Sequence, residues 1–254
     1  MSKKLFFLVY GKAKTGKTTL CNSAPGPRLL LDAESGSTFL DSEQVIWDIN
    51  AGEQCPVDGT EEDITCVVYV HDAATVDKVY GYLDTADHPF KSVILDSVSE
   101  IQQRYIDSLV GDKQLRIQDW GEIRRQVTLK LRVFRDLVAH PRKQVHVFAT
   151  ATAHELVDDS GRKRITPYLQ GSASQSLPYL FDLVTYLYRD PETNAVTLQC
   201  GGRAELDTGD RTGALPESIV NPDIEDIIDI VGTNVQKKIE ARKAKKAIKT
   251  GDKK

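Results

Sequence analysis

The chain has 254 residues, a formal charge of −4, 40% apolar residues and 28% charged residues. These are ordinary values for a globular protein and exclude a wholly disordered chain. No apolar run approaches the ~20 residues of a membrane-spanning helix. The apolar start at residues 5–10 meets Gly11-Lys12 too early for an export signal, so a cytoplasmic protein with no membrane partner is expected.

Charge is spread unevenly. Residues 237–254 carry nine Lys/Arg and two acids, a local +7, which leaves −11 on the other 236 residues. An acidic body does not coat nucleic acid through bulk charge, although it is compatible with a local basic groove. Cys21, Cys55, Cys66 and Cys200 form no Cys-x-x-Cys pair and are expected as free thiols. The five histidines are scattered and outline no metal site.

In chain order, residues 5–10 are apolar at every position, as in a strand covered on both faces. A glycine-bearing loop and a short helix to about Ser23 follow, stopped by Pro25-Gly26-Pro27. Leu29-Leu30-Leu31 is a second strand. Residues 41–63 are acidic and read as an insertion with a hairpin. Residues 65–70 form a third strand and 73–83 a helix. Val93-Ile94-Leu95-Asp96 is a fourth strand, and Ser97 with Glu100 caps a helix that ends at Gly111. Asp119 and Glu122 open a longer helix with Ile123, Val127, Leu131, Phe134 and Val138 on one face. Residues 145–149 are a fifth strand, and 155–178 are a polar loop with a turn at Asp158–Gly161. Strands at 183–188 and 196–198, turning at Asn194, form a C-terminal hairpin. The tail from residue 237 has almost no apolar face and is expected to be disordered. The alternation predicts one α/β domain over residues 1–236, built on a mostly parallel central sheet flanked by helices.

Gly11-Lys12-Ala13-Lys14-Thr15-Gly16-Lys17-Thr18 matches the phosphate-binding loop at each of its specified positions, between a strand and a helix. Gly11, Lys12, Ala13, Lys14, Thr15, Gly16, Lys17, Thr18 and Thr19 are therefore the candidate ATP contacts. Lys17 is expected to face solvent until phosphates arrive, and Thr18 to ligate Mg²⁺. Such a site needs an acid on a neighbouring strand for the Mg²⁺ hydration shell. Asp96 fits, with Asp32 as its rival. Hydrolysis by water needs a second carboxylate to orient and deprotonate that water, and Glu34 stands just past the second strand.

Leu30-Leu31-Asp32-Ala33-Glu34 resembles the stretch after the second core strand of RecA-type recombinases. That resemblance implies a RecA-like P-loop NTPase fold, Glu34 as catalytic base and Asp96 as the Walker B acid. It also implies a polar switch residue after the fifth strand, here His154, with Thr150 and Thr152 competing for the role. The loop at 155–178 would then contact DNA. More closely, the P-loop at the N-terminus, residues 93–97, Ala153-His154-Glu155, Leu169-Gln170-Gly171-Ser172 and Asp210-Arg211-Thr212-Gly213 resemble small phage proteins with a minimal RecA core. Some of those are single-strand annealing ATPases. The likeness spans about residues 4–220 and implies a phage-encoded recombination protein working in the bacterial host. Its partners would be single-stranded DNA, further copies of itself in a ring or filament, and a single-strand binding protein.

Arg162-Lys163-Arg164 and Tyr168 suit phosphate neutralisation and base stacking. Arg211, with Arg203 as the weaker choice, is a candidate finger completing a neighbour's ATP site. Two other functions use the same loop: a small-molecule kinase, and a nucleotide-gated scaffold with negligible turnover. No arginine-rich lid supports the kinase.

Overall fold

The computed structural model describes residues 3–111, 116, 119–157, 160–170 and 178–251, with side chains as far as Lys243. The expected turn at Asp158-Asp159 and the stretch Gly171, Ser172, Ser174, Gln175 and Ser176 lie outside the described residues.

Strand β1 (Phe6–Gly11) is buried at all six positions. Its side chains alternate between two cores: Phe6, Leu8 and Tyr10 enter one, Phe7 and Val9 the other. This is why its sequence is apolar throughout rather than alternating. The first core is closed by α2 (Ala73–Thr85), α3 (Val98–Val110) and α4 (Asp119–Asp136). The second is closed by α1 (Lys17–Asn22) and by α5 (Ile224–Gly251) through Ile224, Ile227, Ile228 and Val231.

Between the helical layers β1 pairs in parallel with β6 (His146–Val157) and β8 (Leu183–Arg189). Beyond β6 come β5 (Ser92–Asp96), β2 (Arg28–Asp32), β4 (Ile64–Tyr69) and β3 (Glu43–Ile46), all parallel. On the other flank β9 (Val196–Gln199) and β11 (Ser218–Val220) are antiparallel additions, and β10 (Gly209–Asp210) pairs with β8. The α/β class, the parallel centre and the C-terminal hairpin β8–β9 agree with the sequence.

Three expectations change. Residues 41–63 contain no hairpin; they supply β3, a parallel strand at the sheet edge, and a 3-10 turn at Ile49–Ala51. The stretch after residue 154 is not an open loop at its start. Strand β6 runs on to Val157 and pairs antiparallel with β7 (Lys163–Pro167). The expected disordered tail from residue 237 continues α5 as helix to Gly251. Its anchor is the apolar face at Ile224–Val231, and once that turn is nucleated the Lys/Ala-rich sequence propagates it at little cost.

His146 begins β6 and is 2% exposed, with Nδ1 accepting the Leu5 N–H at 3.3 Å. Burial first, and the Lys4 charge second, push its pKa down to about 3. Its unfolded value is ~6.5. Between those pH values the unfolded chain holds a proton that the folded chain does not, so stability falls as the solution is acidified. At pH 5 this one site costs roughly 2 kcal/mol. His146→Asn keeps an acceptor and cannot titrate. Urea unfolding at pH 7 and pH 5 should show a smaller acid loss in the variant; equal losses would refute the assignment.

Candidate nucleotide site

The parallel strands β1, β2 and β5 end at one sheet edge that β6 crosses, which gathers Gly11, Asp32, Asp96 and Thr150. The loop from Gly11 to Gly16 wraps over this edge. Two of its glycines have separate reasons. A Cβ at Gly11 would overlap the Leu187 carbonyl of β8, and Gly16 sits at φ 96°, where a side chain is strained. Lys14 also adopts positive φ, 63°. Backbone curled this way turns successive N–H groups towards an anion. Lys17 is not solvent-facing as expected. It is half-buried, and its ammonium donates to the carbonyls of Gly11 at 3.3 Å and Lys12 at 3.0 Å. Burial lowers its pKa, with Glu34 and Asp96 opposing.

Asp96 is 2% exposed. Thr18 donates to its Oδ2 at 2.7 Å, and Thr150 donates a shorter hydrogen bond to Oδ1. Burial drives the carboxyl above its ordinary value; the two hydroxyl bonds hold it down, and the charges of Glu34 and Asp32 raise it further. One hydroxyl beside one carboxylate suits Mg²⁺, which keeps much of its water and takes other ligands from phosphates. Among the described residues no cluster of three or more His, Cys, Asp or Glu side chains could hold a metal. Thr18 would ligate Mg²⁺ directly, with Asp96 behind its hydration shell. The ion would supply charge neutralisation at the phosphates.

Asp32 and Asp96 differ in the hydrogen bonds they receive. Asp32, 1% exposed, accepts the backbone N–H groups of Glu34, Gly36 and Ser37 at 3.1, 3.2 and 2.9 Å. It is the clamp that shapes the turn after β2. That turn leaves Glu34 exposed, where its Oε1 accepts a short hydrogen bond from Ser97. Ser97 also caps α3, accepting from Glu100 N at 3.3 Å. The sequence marks Ser97 as a cap; its second role, on Glu34, has no local signature.

The sequence model of the AAA domain matches residues 3–213, which include every residue of this cluster. The chain belongs to the AAA domain family. It is thus a P-loop protein of the nucleotide-binding ATPase class, in agreement with the ATP and Mg²⁺ expectation. No curated protein matches it. Among the described residues no helix is long and apolar enough to cross a membrane.

The remaining candidates disperse. Thr150 touches Asp96 directly, whereas His154 is four residues further along β6, ~13 Å at strand rise. There it is exposed and packs edge-on against Tyr168, with ring centres 5.3 Å apart. Thr152 accepts the Tyr168 N–H through its carbonyl at 2.6 Å. On the hairpin, Lys163 pairs with Glu155 at 2.7 Å and Arg164 with Asp207 at 2.5 Å, while Arg162 is exposed. Arg203 lies over the Tyr188 ring at 5.5 Å, near the end of β8 and at the same sheet edge as the loop. Arg211 is at the opposite edge, held by Asp182 at 2.9 Å and by the Tyr179 carbonyl at 2.8 Å.

One connection was not expected. Ser99 of α3 accepts the Thr152 N–H at 3.2 Å and donates to the Tyr168 carbonyl at 2.8 Å. Gln102, 1% exposed, clamps both backbone groups of Gln170, at 2.7 and 3.1 Å. The helix capped by Ser97 therefore also grips the chain after β7.

Thr150→Val removes one of two donors to a buried carboxylate, an interaction worth ~1.5–3 kcal/mol. ATP turnover should fall ~10–100-fold while nucleotide affinity changes little. Asp32→Asn should instead lower the melting temperature and leave nucleotide binding intact. Steady-state hydrolysis, titration calorimetry and thermal melts check both; unchanged turnover in Thr150→Val would remove Thr150 from the site.

Proposed function

We propose that this AAA-domain protein hydrolyses Mg-ATP through a water activated by Glu34, and that it couples this to single-stranded DNA in the manner of a minimal RecA-like core. The observation that carries the hydrolysis is the position of Glu34. Its carboxylate is tethered by Ser97 and lies close enough to act electrostatically on both Lys17 and Asp96. Asp96 is already committed to two hydroxyls, so Glu34 is the carboxylate left to accept a proton from water. Lys17 and the loop amides stabilise charge on the phosphates, and Thr150 holds Asp96 in place.

Support for coupling comes from continuity. Strand β6 carries Thr150 at the site and then becomes one arm of the hairpin that bears His154, Lys163 and Arg164. Helix α3 begins at Ser97 on Glu34 and grips residues 168–170 through Ser99 and Gln102. A change at the phosphates thus has two rigid routes to the hairpin. Arg162, Lys163, Arg164 and Tyr168 are the proposed DNA contacts there, and annealing in a phage recombination system is the role that the resemblance favours. In the homo-oligomer reading Arg211 serves a neighbour, because its own nucleotide edge is ~16 Å away along β1.

Glu34→Gln should retain ATP affinity and lose at least ~100-fold in turnover, the lower range for a general base. Wild-type turnover should rise when oligo(dT) is added, and the variant should hold the oligonucleotide longer in ATP. Stopped-flow release and phosphate assays measure these. Full turnover in Glu34→Gln would discard the base assignment, and turnover indifferent to DNA would discard the coupling. Mixing Arg211→Ala with Glu34→Gln subunits should recover hydrolysis that neither has alone; co-assembly without recovery would end Arg211's role in trans.

A further inference from the structure

Residues 3–4 and 238–242, far apart in sequence, meet at the sheet edge opposite the phosphate-binding loop. Lys3 and Lys4 lead into β1 there, and Lys238 and Arg242 project from α5 alongside them. Together they rim a groove of about 350 Å³ whose floor is apolar, from Leu5, Val231 and Val235. One carboxylate, Asp182, also lines it. That group is committed, accepting from Arg211 at 2.9 Å and from the Phe6 N–H at 3.1 Å.

Among the described residues no carboxylate forms an ion pair with Lys3, Lys4, Lys238 or Arg242. Lys238 instead donates to the Thr212 carbonyl at 2.7 Å, which fixes its ammonium at the rim. Lys4 is half-buried, and burial first, with the Lys91 charge second, lowers its pKa. The contrast with the hairpin is direct, since Lys163 and Arg164 are each neutralised by an acid. An unpaired cation gains more from an incoming phosphate than one that must first release a carboxylate.

The shape of the charge identifies the ligand class. Lys238 and Arg242 stand one helical turn apart, ~6 Å along the axis. A single phosphate or a free nucleotide meets one or two cations; four around one groove match a chain of phosphates. The floor carries no aromatic residue on which a base could stack, so recognition would be of backbone and independent of base sequence.

We propose that this groove forms a nucleic-acid track that holds a strand by its phosphates, on the face of the protein away from the ATP site. The ligand class is shared with the DNA-linked reading above, but the surface is a different one. The experiment separates the two. Full-length protein is titrated into labelled oligo(dT) over a salt series, as wild type, as Lys3→Gln/Lys238→Gln/Arg242→Gln, and as Arg162→Ala/Lys163→Ala/Arg164→Ala. Each lost phosphate contact lowers the log–log salt slope by ~0.7, so the groove triple should lose about 2 units. Its melting temperature and basal ATPase rate should match wild type, because none of the three touches the nucleotide. A wild-type slope in the groove triple, with a reduced slope in the hairpin triple, overturns the track and leaves the hairpin reading standing. The reverse pattern supports the track and discards the hairpin. Phosphatidylserine vesicles are the control: if the groove triple loses vesicle binding but keeps oligo(dT) binding, the surface is a lipid contact and the proposal fails.

Discussion

A buried negative charge organises this protein. Asp96 sits at the end of a strand enclosed by two cores, where an ionised carboxylate is costly unless it is hydrogen-bonded. The two hydroxyls that satisfy it come from different parts of the chain, Thr18 just after the phosphate-binding loop and Thr150 on β6. Their convergence requires β1, β6 and β5 to lie side by side in register, with Thr150 of β6 level with the end of β5. Val9 pairs with Thr150, and Leu95 with Ala149. The parallel sheet is thus both the scaffold and the device that compensates the charge.

A second carboxylate is treated in the opposite way. Asp32 ends the neighbouring strand at the same level as Asp96, and the two are register partners. It spends its charge on three backbone N–H groups and so becomes structural. The turn it stabilises delivers Glu34 to the Ser97 hydroxyl. Three acids within one edge therefore have three environments: one buried and bonded to hydroxyls, one buried and bonded to backbone, one exposed and tethered once. Different surroundings are what allow chemically similar groups to do different work.

Ser97 joins this edge to the rest of the molecule. As the cap of α3 it sets where that helix begins, and α3 then reaches the chain beyond β7 through Ser99 and Gln102. The strand route through β6 and the helix route through α3 meet at Tyr168, whose backbone is bonded to both Thr152 and Ser99. Two independent attachments fix the backbone of residues 168–170.

The nucleotide loop, the α/β class and the chain order of the central elements were legible from the sequence. Each is encoded locally: glycines where the backbone must curl or approach a neighbour, apolar runs where both strand faces are covered, Ser97 and Glu100 at helix-cap spacing. The sequence favoured Asp96 over Asp32 for the Mg²⁺ role although both follow three apolar residues; that Asp96 is bonded to hydroxyls and Asp32 to backbone N–H groups appears only in the tertiary structure. It did not reveal that Thr150 bonds Asp96, since a strand's alternation does not say which hydroxyl faces a residue 54 positions earlier. It misread residues 41–63, where a parallel partner strand leaves no turn signal, and the tail, where helix depends on an anchor at Ile224–Val231 packed beneath β1. The meeting of Lys3 and Lys4 with Lys238 and Arg242 likewise belongs to tertiary structure alone. Charges more than 230 residues apart become neighbours only when the first strand and the last helix close on the same core.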